Sequence, residues 1–401
     1  MASIQRFDVV IIGAGAAGLM CAAQASYRGL SVLVIDHADR PGKKILMSGG
    51  GRCNFTNTAC GPEHFLGDNP AFCISALKRY TPWDFLDLVD RHGLDHVEKT
   101  PGQLFCRESA RDLLNMLLTE CEWAGAEIRM KTRIERIESR SEGFSIATSR
   151  GRLDCGSLVV ATGGLSIPTM GATGFGYEIA RQFGLDVKPT RAALVPFTLH
   201  PELKSRLAPL SGITSEVRVH CRGQSFREPM LVTHRGLSGP AMLQISSYWQ
   251  PGDELHVDLL PDEGGAEAVF ESLKTWQQDH PRAGLVRWLN QRLPKRLADE
   301  LAGWQPGDAN RGLADWRHAE LEAVARDLTD WRITPAGTEG YRTAEVTLGG
   351  VDTRHISSKD FSVRDLPGLR FIGEVLDVTG QLGGHNFQWA WSSAVCCAQS
   401  L

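Results

Sequence analysis

The sequence predicts an α/β fold in which a parallel sheet covered by helices is interrupted along the chain by an inserted block. Phe7, Val9, Val10, Ile11 and Ile12 form a nearly continuous apolar run, the pattern of a strand buried on both faces of a parallel sheet. A glycine-rich turn, a helix and a second apolar strand follow it directly. A similar apolar run at Leu158–Ala161 and another near Leu369–Ile372 reappear far along the chain, on either side of a stretch of different texture.

Gly13-Ala14-Gly15-Ala16-Ala17-Gly18 fits the dinucleotide fingerprint of a Rossmann-type domain. The first glycine permits the tight turn, the second lets backbone approach a pyrophosphate, and the third lets helix and strand pack closely. Leu19–Tyr27 reads as a helix whose N-terminal N–H groups and positive dipole end face that pyrophosphate, and Gly29 stops it. Ser31–Ile35 is the second strand. It ends at Asp36, where a carboxylate can accept from a ribose 2′-hydroxyl, which favours an NAD-type or FAD-type adenosine over a 2′-phosphate.

Beyond it, Ser48-Gly49-Gly50-Gly51-Arg52-Cys53-Asn54 places three glycines beside polar side chains in one loop, suited to close contact with a planar polar ligand or its phosphates. Residues 69–92 read as helical, with Thr81-Pro82 as a cap and first-turn pair. Strands flank Pro101-Gly102, and Ser109 caps a helix running to Trp123. Ile128–Ile137 and a hairpin from Phe144 to Leu153 read as strands. Ala161-Thr162-Gly163 ends the next buried strand in small residues, and Gly171–Gly176 opens a helix without completing a second fingerprint.

From about Lys188 the texture changes to short strands of a small barrel or sandwich, at Leu194–Leu199, Thr214–Cys221, Ser225–Thr233 and Glu254–Leu259. Residues 263–331 read as a helical pack, and strands return at 331–333 and 342–347. The expected division is 1–187 and 346–401 for a discontinuous dinucleotide-binding domain, 188–262 with 332–345 for a β-barrel-like insert, and 263–331 for a helical subdomain. Such an insert can form the other wall of an active site. Arg282–Arg296 reads as a basic, Trp-bearing amphipathic helix. A solvated face is the preferred reading of it, and an RNA or anionic-substrate surface the sharper one.

A net charge of −4 gives no overall drive toward nucleic acid or anionic membrane. Ten cysteines without a CxxC pair argue for reduced buried thiols, against a zinc site, a disulfide framework or dithiol chemistry. The charge-free run Val9–Tyr27 imitates a membrane span, but its three glycines and its fit to strand, turn and helix argue against one. Cytoplasm is the expected location, with a small-molecule substrate and neither membrane nor nucleic acid as partner.

Several stretches together resemble the BaiN-like NAD(P)/FAD-dependent oxidoreductases, a bacterial and archaeal flavoprotein family. A few of its members are described as 3-dehydro-bile-acid reductases or aminoacetone oxidases, and most have no known substrate. The resemblance runs through Gly13–Gly18, Met47–Asn57 (MSGGGRCNFTN), Ala161–Tyr177, Leu194–Pro196, Thr233–Ala241, Val346–Val351 (VTLGGV) and Phe371–Ser393 (FIGEVLDVTGQLGGHNFQWAWSS). SGGGRCN and QWAWSS are specific to the family. Phe175 stands where the family usually has a polar or acidic residue, and His385 where Tyr is usual.

The resemblance implies FAD held by Gly13–Gly18, Asp36, Lys43, Lys44, Ser48–Asn54, Ile134, Ala161–Gly163, Gly373, Glu374, Asp377, Gly384, Asn386 and Phe387. Asp377 would lie by the ribityl or pyrophosphate part, and the helix opening at Asn386 by the pyrimidine edge of the isoalloxazine. His385 is the leading proton donor because it lies in this motif and a histidine titrates near neutral pH. His234, Tyr177 and Cys53 are weaker candidates. The expected activity is FAD-dependent oxidoreduction, with flavin reduced transiently by NAD(P)H and hydride passed to a small organic acceptor such as an unsaturated carbonyl compound. The alternatives are an amine or amino-ketone oxidase using oxygen, and a flavin-bearing binding protein acting with RNA.

Overall fold

The structure, a computed structural model, describes residues 4–305 and 311–401. These fall into two compact units, 4–192 with 345–401 and 193–344. In the first, β1 (Gln5–Ile12) leads through the glycine turn into α1 (Ala16–Ser26) and β2 (Val32–Ile35). The chain continues through α2 (Lys43–Met47), β3 (Glu127–Arg129), β4 (Gly151–Val160), β5 (Leu366–Phe371) and α3 (His385–Ala398). The parallel sheet runs in the order β5-β4-β1-β2-β3. Strand β1 is the centre because Val9–Ile12 are buried on both faces, and α1 is buried along almost its whole length. At 11 residues α1 cannot span a bilayer, and no described helix is long and apolar enough to do so.

Three local readings differ from the sequence expectation. The hairpin end and the buried strand at Leu158 are one ten-residue strand, β4, because β1 pairs with it continuously from Leu153 to Val160. The stretch Ile128–Ile137 breaks at Lys131, whose φ of 54° turns the chain so that Lys131 and Thr132 donate to the carbonyls of Ala38 and Asp36. Residues 342–347 begin as a 3₁₀ turn, and the strand there spans only Val346–Leu348. The 69–92 region forms two helices, Ile74–Arg79 and Pro82–Arg91. The second is started by a capping box in which Thr81 N–H donates to Asp84 at 2.7 Å.

In the second unit a seven-stranded sheet holds the strands Thr214–Cys221, Gln224–Val232 and Leu255–Asp258 in antiparallel register. The helices of 263–331 do not form a core of their own. Val269, Leu273, Trp288, Leu297 and Leu321 share one buried cluster with Val217, Val219 and Leu255 of the sheet, because a one-sided sheet and amphipathic helices bury their apolar faces against each other. The basic helix expected over 282–296 is two pieces, Leu285–Leu289 and Lys295–Gly303. Pro294 supplies no N–H and disfavours helix at the residue before it. Arg292 lies over the buried Trp288 ring at 3.9 Å and bonds Glu263 at 3.0 Å, so it is a packing residue rather than part of a solvated basic face.

Candidate active site

The three fingerprint glycines have different causes. Gly13 has φ 111°, and a Cβ there would meet the Ala161 carbonyl at 2.4 Å; one at Gly18 would lie 1.9 Å from the Gly13 carbonyl. Both are required by packing of turn, strand and helix. At Gly15 nothing lies within 4 Å and φ is −88°, so the protein itself does not require glycine there. What it leaves is bare backbone at the N-terminus of α1, which carries neither a side-chain cap nor an acid in its first turn. That is a cradle for a pyrophosphate.

Asp36 stands beside it. Its two carboxylate oxygens accept from Ala14 N–H and Ala38 N–H, each at 2.8 Å, which fixes the group while leaving lone pairs for a ribose hydroxyl. The Thr132 amide bonds to the Asp36 carbonyl, bringing the chain just before Ile134 to the same edge. Ala161 closes the opposite side, its N–H bonded to Ile12 O at 2.8 Å. Thr162 follows with a buried hydroxyl that has no partner among the described residues, a polar atom a bound nucleotide can satisfy.

The adjacent lysines part company. Lys43 is paired with Asp39 at 2.6 Å and belongs to the surface. Lys44 Nζ reaches Ser166 Oγ at 2.7 Å and Glu374 Oε2 at 3.0 Å. Glu374 Oε1 accepts from the Thr347 amide at 3.0 Å, and the Thr347 hydroxyl accepts from Leu165 N–H at 2.8 Å. One knot thus joins α2, the loop after β4, the Gly373-Glu374 turn and the VTLGGV strand. Ser166, Thr347 and Glu345, whose carbonyl accepts from Ser166 Oγ, escaped the sequence reading. Their position inside or beside motifs already singled out was the available signal.

The triple-glycine loop holds Gly49, Gly50 and Gly51 at φ 57°, 66° and 85°, with open space before the last two. Ser48 Oγ is bonded to Ile45 O at 2.8 Å, and Arg52 is exposed. Asn54 is placed to accept from Gly384 N–H at 3.3 Å, which ties the loop to the start of α3. Cys53 is fully buried, and burial pushes its thiol well above the usual range, so it stays protonated.

Helix α3 accounts for the QWAWSS signature. Trp389 Nε1 donates to Gly373 O and Ser393 Oγ accepts from Gly373 N–H, both at 3.1 Å, so residues one turn apart hold the turn that carries Glu374. Trp391 Nε1 donates to Phe55 O at 2.8 Å and fixes the strand after the glycine loop; Phe387 stacks on Trp391. The Asn386 side chain is bound to backbone, accepting from Gly380 N–H and donating to Gly380 O at 2.8 Å each and donating to Gln381 O at 3.4 Å. What α3 can offer a ligand is its uncapped, acid-free N-terminus after Gly384, with the positive end of its dipole.

The Asp377 carboxylate accepts from Asp68 N–H at 2.9 Å through one oxygen, which fixes it against that turn and leaves lone pairs for a ligand. His385 is 4% exposed, its ring centre 4.4 Å from that of His64 with the two planes tilted by 58°, and its Nε2 lies 3.4 Å from the Asn57 amide nitrogen. Burial, with the His64 imidazole, pulls its pKa down to about 3, so it is neutral at physiological pH. The expectation that it titrates near neutrality is corrected: its α3 position is as expected, but no water solvates its cation. Tyr177 is buried in the helix Phe175–Gln182, and His234 is exposed on a turn of the second unit.

An α1 N-terminus with bare backbone, an acid for ribose, an orphaned threonine hydroxyl and an uncapped second helix start together fit FAD. Comparison with known proteins agrees. The chain is 52% identical over 401 residues to the ribosomal RNA dihydrouridine synthase of Escherichia coli (strain K12), covering 99% of this chain and 98% of that one. It is 30% identical over 399 residues to the 3-dehydro-bile acid delta(4,6)-reductase of Clostridium scindens, covering 96% of each. A solved 3-ketosteroid-delta4-(5alpha)-dehydrogenase from Rhodococcus jostii RHA1 shares the fold at a TM-score of 0.51 and 16% identity, covering 99% of this chain and 98% of that one. Residues 7–400 match the family described as HI0933-like protein Rossmann domain. The chain therefore belongs to the HI0933-like family of Rossmann-type, FAD-binding oxidoreductases.

Proposed function

We propose that this enzyme reduces uridine in ribosomal RNA to dihydrouridine, with FAD as the hydride carrier and NAD(P)H as the reductant. The observation that carries this reading is the 52% identity to the Escherichia coli ribosomal RNA dihydrouridine synthase, over 99% of this chain and 98% of that one. The chemistry is coherent with it. The C5=C6 bond of uracil is conjugated to the C4 carbonyl, so the ring is an unsaturated carbonyl acceptor, the class to which the bile-acid relative's name also points.

FAD supplies hydride transfer when bound. The chain's own groups bind and orient. Gly15 and the start of α1 would hold the pyrophosphate, Asp36 would take the ribose, and the α3 N-terminus would favour negative charge on the ring. The sequence has one complete dinucleotide fingerprint, so NAD(P)H visits the flavin face transiently. The charge of −4 supplies no general attraction to RNA, and recognition rests on local surface.

The test is anaerobic incubation of the holoenzyme with NADH or NADPH and ribosomal RNA from cells that lack the modification, with dihydrouridine measured by mass spectrometry. Flavin bleaching followed by dihydrouridine formation is expected. Bleaching with no change in the RNA, together with reduction of a steroid dienone, would replace RNA by a small-molecule acceptor. Flavin indifferent to both nucleotides but yielding peroxide with an amine would favour an oxidase.

A further inference from the structure

The strand Asn54–Asn57, which leaves the glycine loop, pairs antiparallel with the strand Gln103–Cys106, Asn54 opposite Phe105 and Asn57 opposite Gln103. Leu104 and Cys106 are buried on one side of the second strand, and Gln103 and Phe105 are half-buried on the other. Both of these side chains reach the site. The Phe105 ring comes within 3.1 Å of where a Cβ on Gly49 would stand, and the Gln103 amide within 2.9 Å of where a Cβ on Gly383 would stand. Gln103 therefore lies between the glycine loop and the uncapped, acid-free start of α3, two features that fit FAD.

The other amides at this point are saturated by the protein. Asn57 donates to Gly383 O at 2.8 Å and accepts from Ala59 N–H at 2.9 Å. Gln388 bonds Thr56, Tyr80 and Ser392, and Asn386 bonds Gly380 and Gln381. Asn54, placed to accept from Gly384 N–H, also donates to the carbonyls of Thr56 and Leu104 at 3.1 Å each. Gln103 differs from them. One end of its amide is joined to that of Asn54 at 3.0 Å; the other end, turned to Gly383, has no partner among the described residues and is not sealed inside the protein. An amide fixed at one end and open at the other, between two backbones that face the ligand, is preorganised for a polar group that the protein does not supply.

We infer that the open end of Gln103 hydrogen-bonds the pyrimidine edge of the isoalloxazine, so that Gln103 is a flavin ligand as well as the brace between the glycine loop and α3. That edge alternates acceptor, donor and acceptor at the C2 carbonyl, N3–H and the C4 carbonyl, the groups an amide complements. It is also the edge suited to the positive start of α3, because the reduced ring carries negative charge there. The assignment concerns the cofactor and holds whichever acceptor the enzyme reduces.

The test uses holoenzyme carrying Gln103→Leu or Gln103→Glu and needs no turnover. Gln103→Leu should bind FAD roughly 10-fold more weakly in a fluorescence titration, the loss expected for one such hydrogen bond. With isotope-labelled FAD, the C2, N3 and C4 magnetic resonance signals of the oxidised flavin should move in Gln103→Leu, while those of the dimethylbenzene ring stay in place. A brace alone would let the whole ring shift and would move both sets. Gln103→Glu sets a negative charge against a ring that becomes anionic on reduction, so its flavin should have a more negative reduction potential than wild type. Pyrimidine signals unmoved in Gln103→Leu, both sets of signals moved alike, or an unshifted potential in Gln103→Glu overturns the assignment. If Gln103→Leu does not fold, the potential and the pyrimidine signals of Gln103→Glu decide in its place.

Discussion

Replacement of Gly15 by alanine separates a glycine kept for a ligand from glycines kept for packing. A methyl group there meets no protein atom within 4 Å and the backbone is ordinary, so the apoprotein should change in stability by no more than about 1 kcal/mol. The same methyl occupies the approach to the α1 N–H groups. Each charge-assisted hydrogen bond lost to a pyrophosphate oxygen removes about 1.5–3 kcal/mol, weakening FAD binding roughly 10- to 150-fold. Gly18→Ala should behave in the opposite way. Its Cβ would lie 1.9 Å from a backbone carbonyl that cannot swing aside, and overpacking of that kind costs about 1–3 kcal/mol or more in the apoprotein itself. Urea unfolding of flavin-stripped protein measures the first quantity, and fluorescence titration with FAD the second. A Gly15→Ala protein that binds FAD as wild type does, or that is as unstable without FAD as Gly18→Ala, would refute the reasoning.

Three further outcomes follow from the geometry. Lys44→Met should lower FAD affinity by releasing Glu374 and Ser166, with partial recovery in Lys44→Arg, whereas Lys43→Met, which loses only the surface pair with Asp39, should bind FAD normally in the same titration. His385 should lower stability as pH falls from about 6.5 toward 3, because the unfolded chain takes up a proton that the folded one excludes. Urea midpoints measured across that window should fall less steeply in His385→Phe, and an unchanged slope would contradict burial of the neutral ring. Arg292→Ala should cost about 1–2 kcal/mol through loss of its bonds to Glu263 and Ser272 and its stacking on Trp288, while Arg287→Ala, exposed on its short helix, should be close to neutral in thermal unfolding.

The portions of the site that were legible in the sequence are those whose cause is local. The turn at Gly13, the helix entered at Gly15 and the carboxylate at Asp36 lie within one βαβ unit, where apolar runs and glycines report directly on backbone shape. The start of α3 after Gly384 is local in the same sense. Lys43 and Lys44 show the limit. As adjacent residues of one type they are equivalent in the sequence, and their roles divide because a helix points neighbouring side chains in different directions, Lys44 toward Glu374, far along the chain.

Protonation was still less legible. His385 sits in the motif where it was expected, but its neutrality comes from desolvation by residues brought around it from several segments, including His64. The sequence by itself thus determined the Rossmann-type framework and its dinucleotide fingerprint, which depend on periodicity and on glycines acting over a few residues, while the resemblance to a family supplied FAD and the discontinuity of the nucleotide domain. Which side chains bind, which brace and which can move a proton was decided by tertiary structure, because burial and hydrogen-bond partnership depend on residues hundreds of positions apart.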